Sequence, residues 1–146
     1  MKAAQLHGPK DVRVEEVDDP KLEPDGAILK VKACGICGGD LRWYEEADYP
    51  TGPVEGHEWS GEVVEVGADV THLKVGDRLA MSGPGGYGEY AGVSGYRIDP
   101  VFKMPDDMSY EVGATLEPLS VSAGVAMRGE TEPGDTVVVL GAGAIG

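Results

Sequence analysis

The chain of 146 residues has only two cysteines, Cys34 and Cys37. That count excludes a disulfide-stapled scaffold and a structural metal site built from four cysteines. Basic residues are also scarce: 12 Lys and Arg against 26 Asp and Glu leave a net charge of −14. Such a surface repels phosphate backbones and anionic headgroups, so neither nucleic acid nor membrane is an expected partner. The start, Met1-Lys2-Ala3-Ala4-Gln5-Leu6-His7-Gly8-Pro9, lacks the apolar stretch of a secretory signal. The longest apolar run, Thr136 to Gly146, is about half of a membrane span. No internal repeat or low-complexity segment occurs. The expectation from these absences is a soluble cytoplasmic protein.

What is present is enough to fold. Hydrophobic residues make up 41% of the chain and fall in short Val, Ile and Leu runs that can bury a core in one ordinary domain. Gly (23) and Pro (10) are frequent, so the elements should be short and the turns many. Val12-Arg13-Val14 to Val17, Ala27 to Ala33, Gly61 to Gly67 and Val75 to Met81 read as strands, with Tyr87-Gly88-Glu89-Tyr90-Ala91 as a further strand start. Punctuation by Gly, Pro and Asp at roughly ten-residue spacing suggests a β-barrel or sandwich.

After Pro105 the pattern becomes helical. Ser109 can cap a short helix through Val112, Ala114 and Leu116, and Pro118 suits the first turn of a second one that runs to Arg128. Glu132-Pro133-Gly134-Asp135 is a turn, and Thr136-Val137-Val138-Val139-Leu140 reads as a strand buried on both faces of a parallel sheet. Gly141-Ala142-Gly143-Ala144-Ile145-Gly146 follows it. A Gly-x-Gly-x-x-Gly run directly after a buried strand is the fingerprint of a dinucleotide site, where Gly141, Gly143 and Gly146 would let the backbone approach a pyrophosphate. The plain alternative is a glycine-rich tail. On the dinucleotide reading, the chain is expected to be a fragment of a longer protein.

Two glycine-lined bends hold the groups capable of chemistry. Gly35-Ile36-Cys37-Gly38-Gly39-Asp40 follows a strand, and Glu55-Gly56-His57-Glu58 comes twenty residues later. A thiolate, an imidazole and a carboxylate are the mixture that holds Zn²⁺ with one position left open for chemistry. His57 and Glu58 are neighbours and would face opposite ways on a regular strand. They reach one ion only if the chain bends at Gly56. Spacing alone leaves the metal open. Cys34-Gly35-Ile36-Cys37 is also a C-x-x-C, but a redox pair needs a helix start there, and Gly-Gly-Asp carries no helical pattern. Cys34 reads instead as a small buried hydrophobe, and His7 and His72 as surface or turn residues.

The motifs Gly35–Asp40, Gly56-His57-Glu58-Trp59-Ser60-Gly61, Val75-Gly76-Asp77-Arg78-Leu79, Glu117-Pro118-Leu119-Ser120-Val121 and the terminal glycine run stand in a telling order. That order resembles the zinc-dependent medium-chain alcohol and polyol dehydrogenases, most of all the sorbitol and butanediol branch. The resemblance implies a mainly β fold with short helices. Residues 1–130 would form a GroES-like catalytic barrel, and 131–146 the first strand of a truncated Rossmann domain. It implies Cys37, His57 and Glu58 as catalytic zinc ligands and Glu117 as a carboxylate that approaches the metal or its water. Asp40 would orient the ligand histidine and, in the family, also meets a basic residue from later in the chain.

By the same resemblance, zinc makes a bound secondary alcohol or polyol acidic near neutral pH, and hydride passes to NAD or NADP held by the Rossmann half. A homo-oligomer, dimer or tetramer, is expected. The isolated chain should not turn over. Trp43 and Tyr44 would either wall the substrate pocket or pack on the barrel.

Three departures stand out. Gly39 replaces the usual Ser or Thr, and Arg42 replaces a His that continues the proton relay. Only Ser82-Gly83-Pro84-Gly85-Gly86 separates Met81 from Tyr87, which leaves no room for the structural-zinc lobe and predicts one zinc at most. Two other readings compete: a metal-free quinone or enoyl reductase domain, and a free-standing GroES-like binding or assembly module.

Overall fold

The structure, a computed structural model, describes residues 1–46, 52–98 and 101–146. Strand β1 (Lys2–Gly8) turns tightly into β2 (Asp11–Glu16), and the two pair antiparallel from Lys2↔Glu16 to Gly8↔Asp11. The remaining strands are β3 (Gly26–Cys34), β4 (Glu58–Val66), β5 (Arg78–Ser82), β6 (Tyr90–Ser94) and β7 (Phe102–Lys103). They form one antiparallel sheet in the order β6-β3-β4-β5-β7. The β1–β2 hairpin joins this sheet through the Ala3↔Gly88 bridge, next to the start of β6.

Alternation places the core. Ala27 and Leu29 of β3, Trp59 and Val63 of β4, Leu79 and Met81 of β5, and Ala91 and Val93 of β6 are buried together with Leu73 and Ile98. Gly61 lies where β3 crosses closely: a Cβ there would stand 2.6 Å from the Lys30 carbonyl oxygen. Across the β3–β4–β5 region packs α2 (Tyr110–Ala114), and it runs into α3 (Leu116–Arg128). Ser109 caps α2 as expected, its hydroxyl accepting from Val112 N–H at 3.2 Å. The buried Ser60 hydroxyl donates to the Tyr110 carbonyl at 2.6 Å, tying that helix to β4.

An ion cluster around the buried Asp77, with both lysines exposed, closes the β5–β7 side. Asp77 accepts from Lys74 Nζ at 2.6 Å and from Lys103 Nζ at 2.7 Å. Burial works against its charge, yet these hydrogen bonds, with one from Lys74 N–H, hold its carboxyl down to about 2.

The structure departs from the sequence expectations at several elements, and strands β1 and β7 form where no strand is expected. Helix α1 (Gly38–Glu46) begins directly after Cys37, where no helix is legible. The expected strand at Thr136–Leu140 is not formed, and its side chains are exposed, Leu140 at 93%. A parallel strand needs a partner strand and cover on both faces, and no described residue pairs with this one. Among the described residues no helix is long and apolar enough to cross a membrane.

Candidate metal centre

Cys37 leaves the end of β3 and caps α1. Its Sγ accepts from Gly39 N–H at 3.4 Å, while Asp40, three residues on, accepts the Cys37 N–H on Oδ2 at 2.9 Å. The reciprocal pair is a capping box with sulfur in place of a hydroxyl. It gives a helix that opens on two glycines its start, and it fixes both the thiol and the carboxylate.

His57 and Glu58 arrive from the other bend. Gly56 has φ +85° and turns the chain just ahead of β4, whose first residue is Glu58. Gly35 N–H donates to the Glu58 carbonyl at 2.7 Å, which sets the Cys37 bend against the start of β4. Gly35 must also be small: a Cβ there would lie 2.5 Å from Glu58 Oε2. The result is one group. Cys37, His57 and Glu58 each offer a donor atom, and the three atoms lie within 4.8 Å of one another, the only such group among the described residues.

Glu117 falls outside that group but close to it. Its pKa is raised by burial, with the His57 imidazole opposing and the Glu58 carboxylate adding to the shift. It lines a cavity of about 390 Å³ between β5 and α3, with Arg97 and Ser120 on the same wall. Asp40 lies beside the imidazole: its Oδ1 is buried without a hydrogen-bond partner, 3.8 Å from His57 Nδ1. The donor set suits a borderline-soft divalent ion, and the orphaned oxygen faces the ring nitrogen that a metal-bound histidine turns toward a carboxylate.

Arg42 is exposed on α1 and bonds Glu46 at 2.9 Å. Gly39 offers the sulfur only its backbone N–H. Trp43 and Tyr44 line a second cavity, about 380 Å³, with Leu6, Val12, Ile36 and Leu41; it reaches Asp40 and Tyr87 but none of the three donors. Cys34 sits at the β3 end, its thiol pushed up to about 12, chiefly by burial. A redox pair needs the opposite shift. Gly141, Gly143 and Gly146 are exposed on the far tail, where Gly141 has φ +107° and no strand leads in.

Sequence reasoning missed Tyr87. Its hydroxyl donates to Asp40 Oδ2 at 2.7 Å, and burial, then that bond, raises its pKa. The short connector brings it there, because Gly86 and Tyr87 N–H bond the Gly56 and Glu55 carbonyls at 2.9 Å. The one legible signal was a lone aromatic between Gly86 and Gly88.

The fold also matches known proteins. Residues 23–106, more than half of the chain, match the alcohol dehydrogenase GroES-like domain family. The chain belongs to that family. This GroES-like domain is 38% identical to the (R,R)-butanediol dehydrogenase of Bacillus subtilis, covering 100% of the chain and 52% of the relative. It is 33% identical to the sorbitol dehydrogenase of the same organism, with 100% and 50% covered. The crystal structure of the Bacillus subtilis 2R,3R-butanediol dehydrogenase superposes with a TM-score of 0.74 at 37% identity, over 86% of this chain and 46% of that one. The chain spans about half the length of the curated relatives it matches.

Proposed function

We propose that this GroES-like domain is the metal-binding and alcohol-binding part of a zinc-dependent dehydrogenase. The reaction would carry hydride from a secondary alcohol or polyol to NAD or NADP. The convergence of Cys37, His57 and Glu58 on one point supports this reading most strongly. Zinc, when bound there, supplies a positive charge that makes an alcohol acidic near neutral pH.

The chain's own residues do the rest. Cys37 is held by the α1 cap, Glu58 by the bend at Gly35, and His57 by the turn at Gly56. Asp40 can accept the His57 Nδ1 proton and so direct Nε2 toward the other donors. Glu117, at the edge of the group, can approach the ion or hold a proton beside it. Gly39 has no side chain to relay a proton and Arg42 is bonded to Glu46, so the proton's route would use water or Glu117. Binding of the nicotinamide nucleotide is assigned to Gly141, Gly143 and Gly146 once a following helix completes their loop. Apolar side chains exposed on α3, Val121, Val125 and Met127, support a homo-oligomer. Two unpaired thiols suit a cytoplasmic setting.

The test has two arms. Loaded with Co²⁺, the chain should change its visible spectrum when 2,3-butanediol or sorbitol is added. Given NAD⁺ and the same alcohols, the 146-residue chain should form no reduced nucleotide. A spectrum indifferent to every alcohol would remove the substrate reading, and sustained NADH formation would remove the division of labour.

A further inference from the structure

We propose that Tyr87 is a positioning residue for the metal centre: it holds Asp40 in the orientation that makes His57 present Nε2 to the ion. The inference rests on the metal reading above. Asp40 Oδ2 takes two donors, Tyr87 Oη at 2.7 Å and Cys37 N–H at 2.9 Å. With that oxygen committed, the carboxylate cannot turn. Oδ1 is left buried and unpartnered, with His57 Nδ1 3.8 Å away. An orphaned carboxylate oxygen in a side chain only 8% exposed is costly unless something donates to it. A shift of about 1 Å in the imidazole would bring Nδ1–H into hydrogen-bond range. Nδ1 then carries the proton, and Nε2 keeps its lone pair for Cys37's and Glu58's ion.

Tyr87 also governs the histidine from its other side. Its ring lies against Gly56, where a Cβ would stand 2.7 Å from Cδ1, and its N–H bonds the Glu55 carbonyl at 2.9 Å. Its own carbonyl accepts from Ala4 N–H of β1 at 2.9 Å, which anchors it to the sheet. One residue therefore fixes the bend that delivers His57 and the carboxylate that faces it. A tyrosine needed only for packing would use the ring alone. Here the hydroxyl is aimed at the group next to the imidazole.

Cobalt titration of the chain and three variants tests this. Tyr87→Phe keeps the ring against Gly56 and removes only the donor; it should weaken Co²⁺ binding about tenfold, the effect of losing an outer hydrogen bond around a metal. Asp40→Asn should weaken it at least as much, and the double variant should be no weaker than Asp40→Asn alone, because Tyr87 acts through Asp40. Tyr87→Phe binding equal to the parent, or two effects that simply add, overturns the inference while leaving the metal reading intact. A parent chain that binds no cobalt overturns both. A measurement on the unaltered chain covers the case of a misfolded variant: long-range ¹H–¹⁵N spectra should show the His57 proton on Nδ1, and a proton on Nε2 in the metal-free chain contradicts the inference.

Discussion

Replacing Gly56 by alanine separates a backbone requirement from a packing requirement at the same site. The φ of +85° is one that L side chains rarely adopt, and holding a non-glycine residue there costs about 1–3 kcal/mol. The added Cβ also meets the Tyr87 ring at 2.7 Å and its backbone nitrogen at 2.9 Å. Tyr87 cannot step back, since its N–H is bonded to the Glu55 carbonyl and its hydroxyl to Asp40. Overpacking against a fixed neighbour adds about 1–3 kcal/mol. The expected loss is therefore about 2–6 kcal/mol, or a fall of about 6–18 °C in Tm for a chain of this size. Urea unfolding of the metal-free chain reads it directly. Gly35→Ala is the control: its φ is ordinary, and its Cβ meets chiefly the movable Glu58 carboxylate. That variant should lose under about 1 kcal/mol yet bind metal more weakly. A Gly56→Ala chain as stable as the parent would refute the argument from φ and contact.

Further outcomes follow from the same structure. Asp77 has its pKa depressed in the folded chain to about 2, so its contribution is present above the unfolded value and disappears as pH falls from about 4 through 2. It is worth about 1–2 kcal/mol after allowing for the water around Lys74 and Lys103, and Asp77→Asn should flatten the acid limb of a pH–stability curve by that amount. The Cys34 thiol, at about 12, should react with iodoacetamide at pH 8 far more slowly than a free cysteine; rapid labelling at Cys34 would contradict its burial. Ser109→Ala removes the α2 cap and should cost about 1 kcal/mol in thermal unfolding.

Much of this fold was legible where local chemistry and tertiary demand coincide. Leu79 and Met81 alternate with less buried neighbours because β5 buries one face in the core, and Ser109 and Pro118 mark helix starts through hydrogen bonding and fixed φ. Strand β1 was not legible, since Ala3-Ala4-Gln5-Leu6-His7 has no β-branched residue and no clean alternation. Helix α1 opens on Gly38 and Gly39, poor helix formers; its cap is a sulfur paired with Asp40, a pattern hidden when only hydroxyl and carboxamide caps are sought. Thr136–Leu140 shows the reverse failure: strong β propensity without a partner strand makes no strand. The glycine-lined bends made Cys37, His57 and Glu58 candidates, but only the family resemblance named them as a ligand set. Tyr87 was not legible, because its role depends on a connector that folds back across Gly56.

The central claim is that Cys37, His57 and Glu58 hold one divalent ion between them. Elemental analysis after zinc loading and exhaustive dialysis tests it most directly, run on the parent chain beside Cys37→Ser and His57→Ala. One zinc per parent chain, with almost none retained by either variant, is the predicted result. A parent that retains no zinc, or a Cys37→Ser chain that retains a full complement, would contradict it.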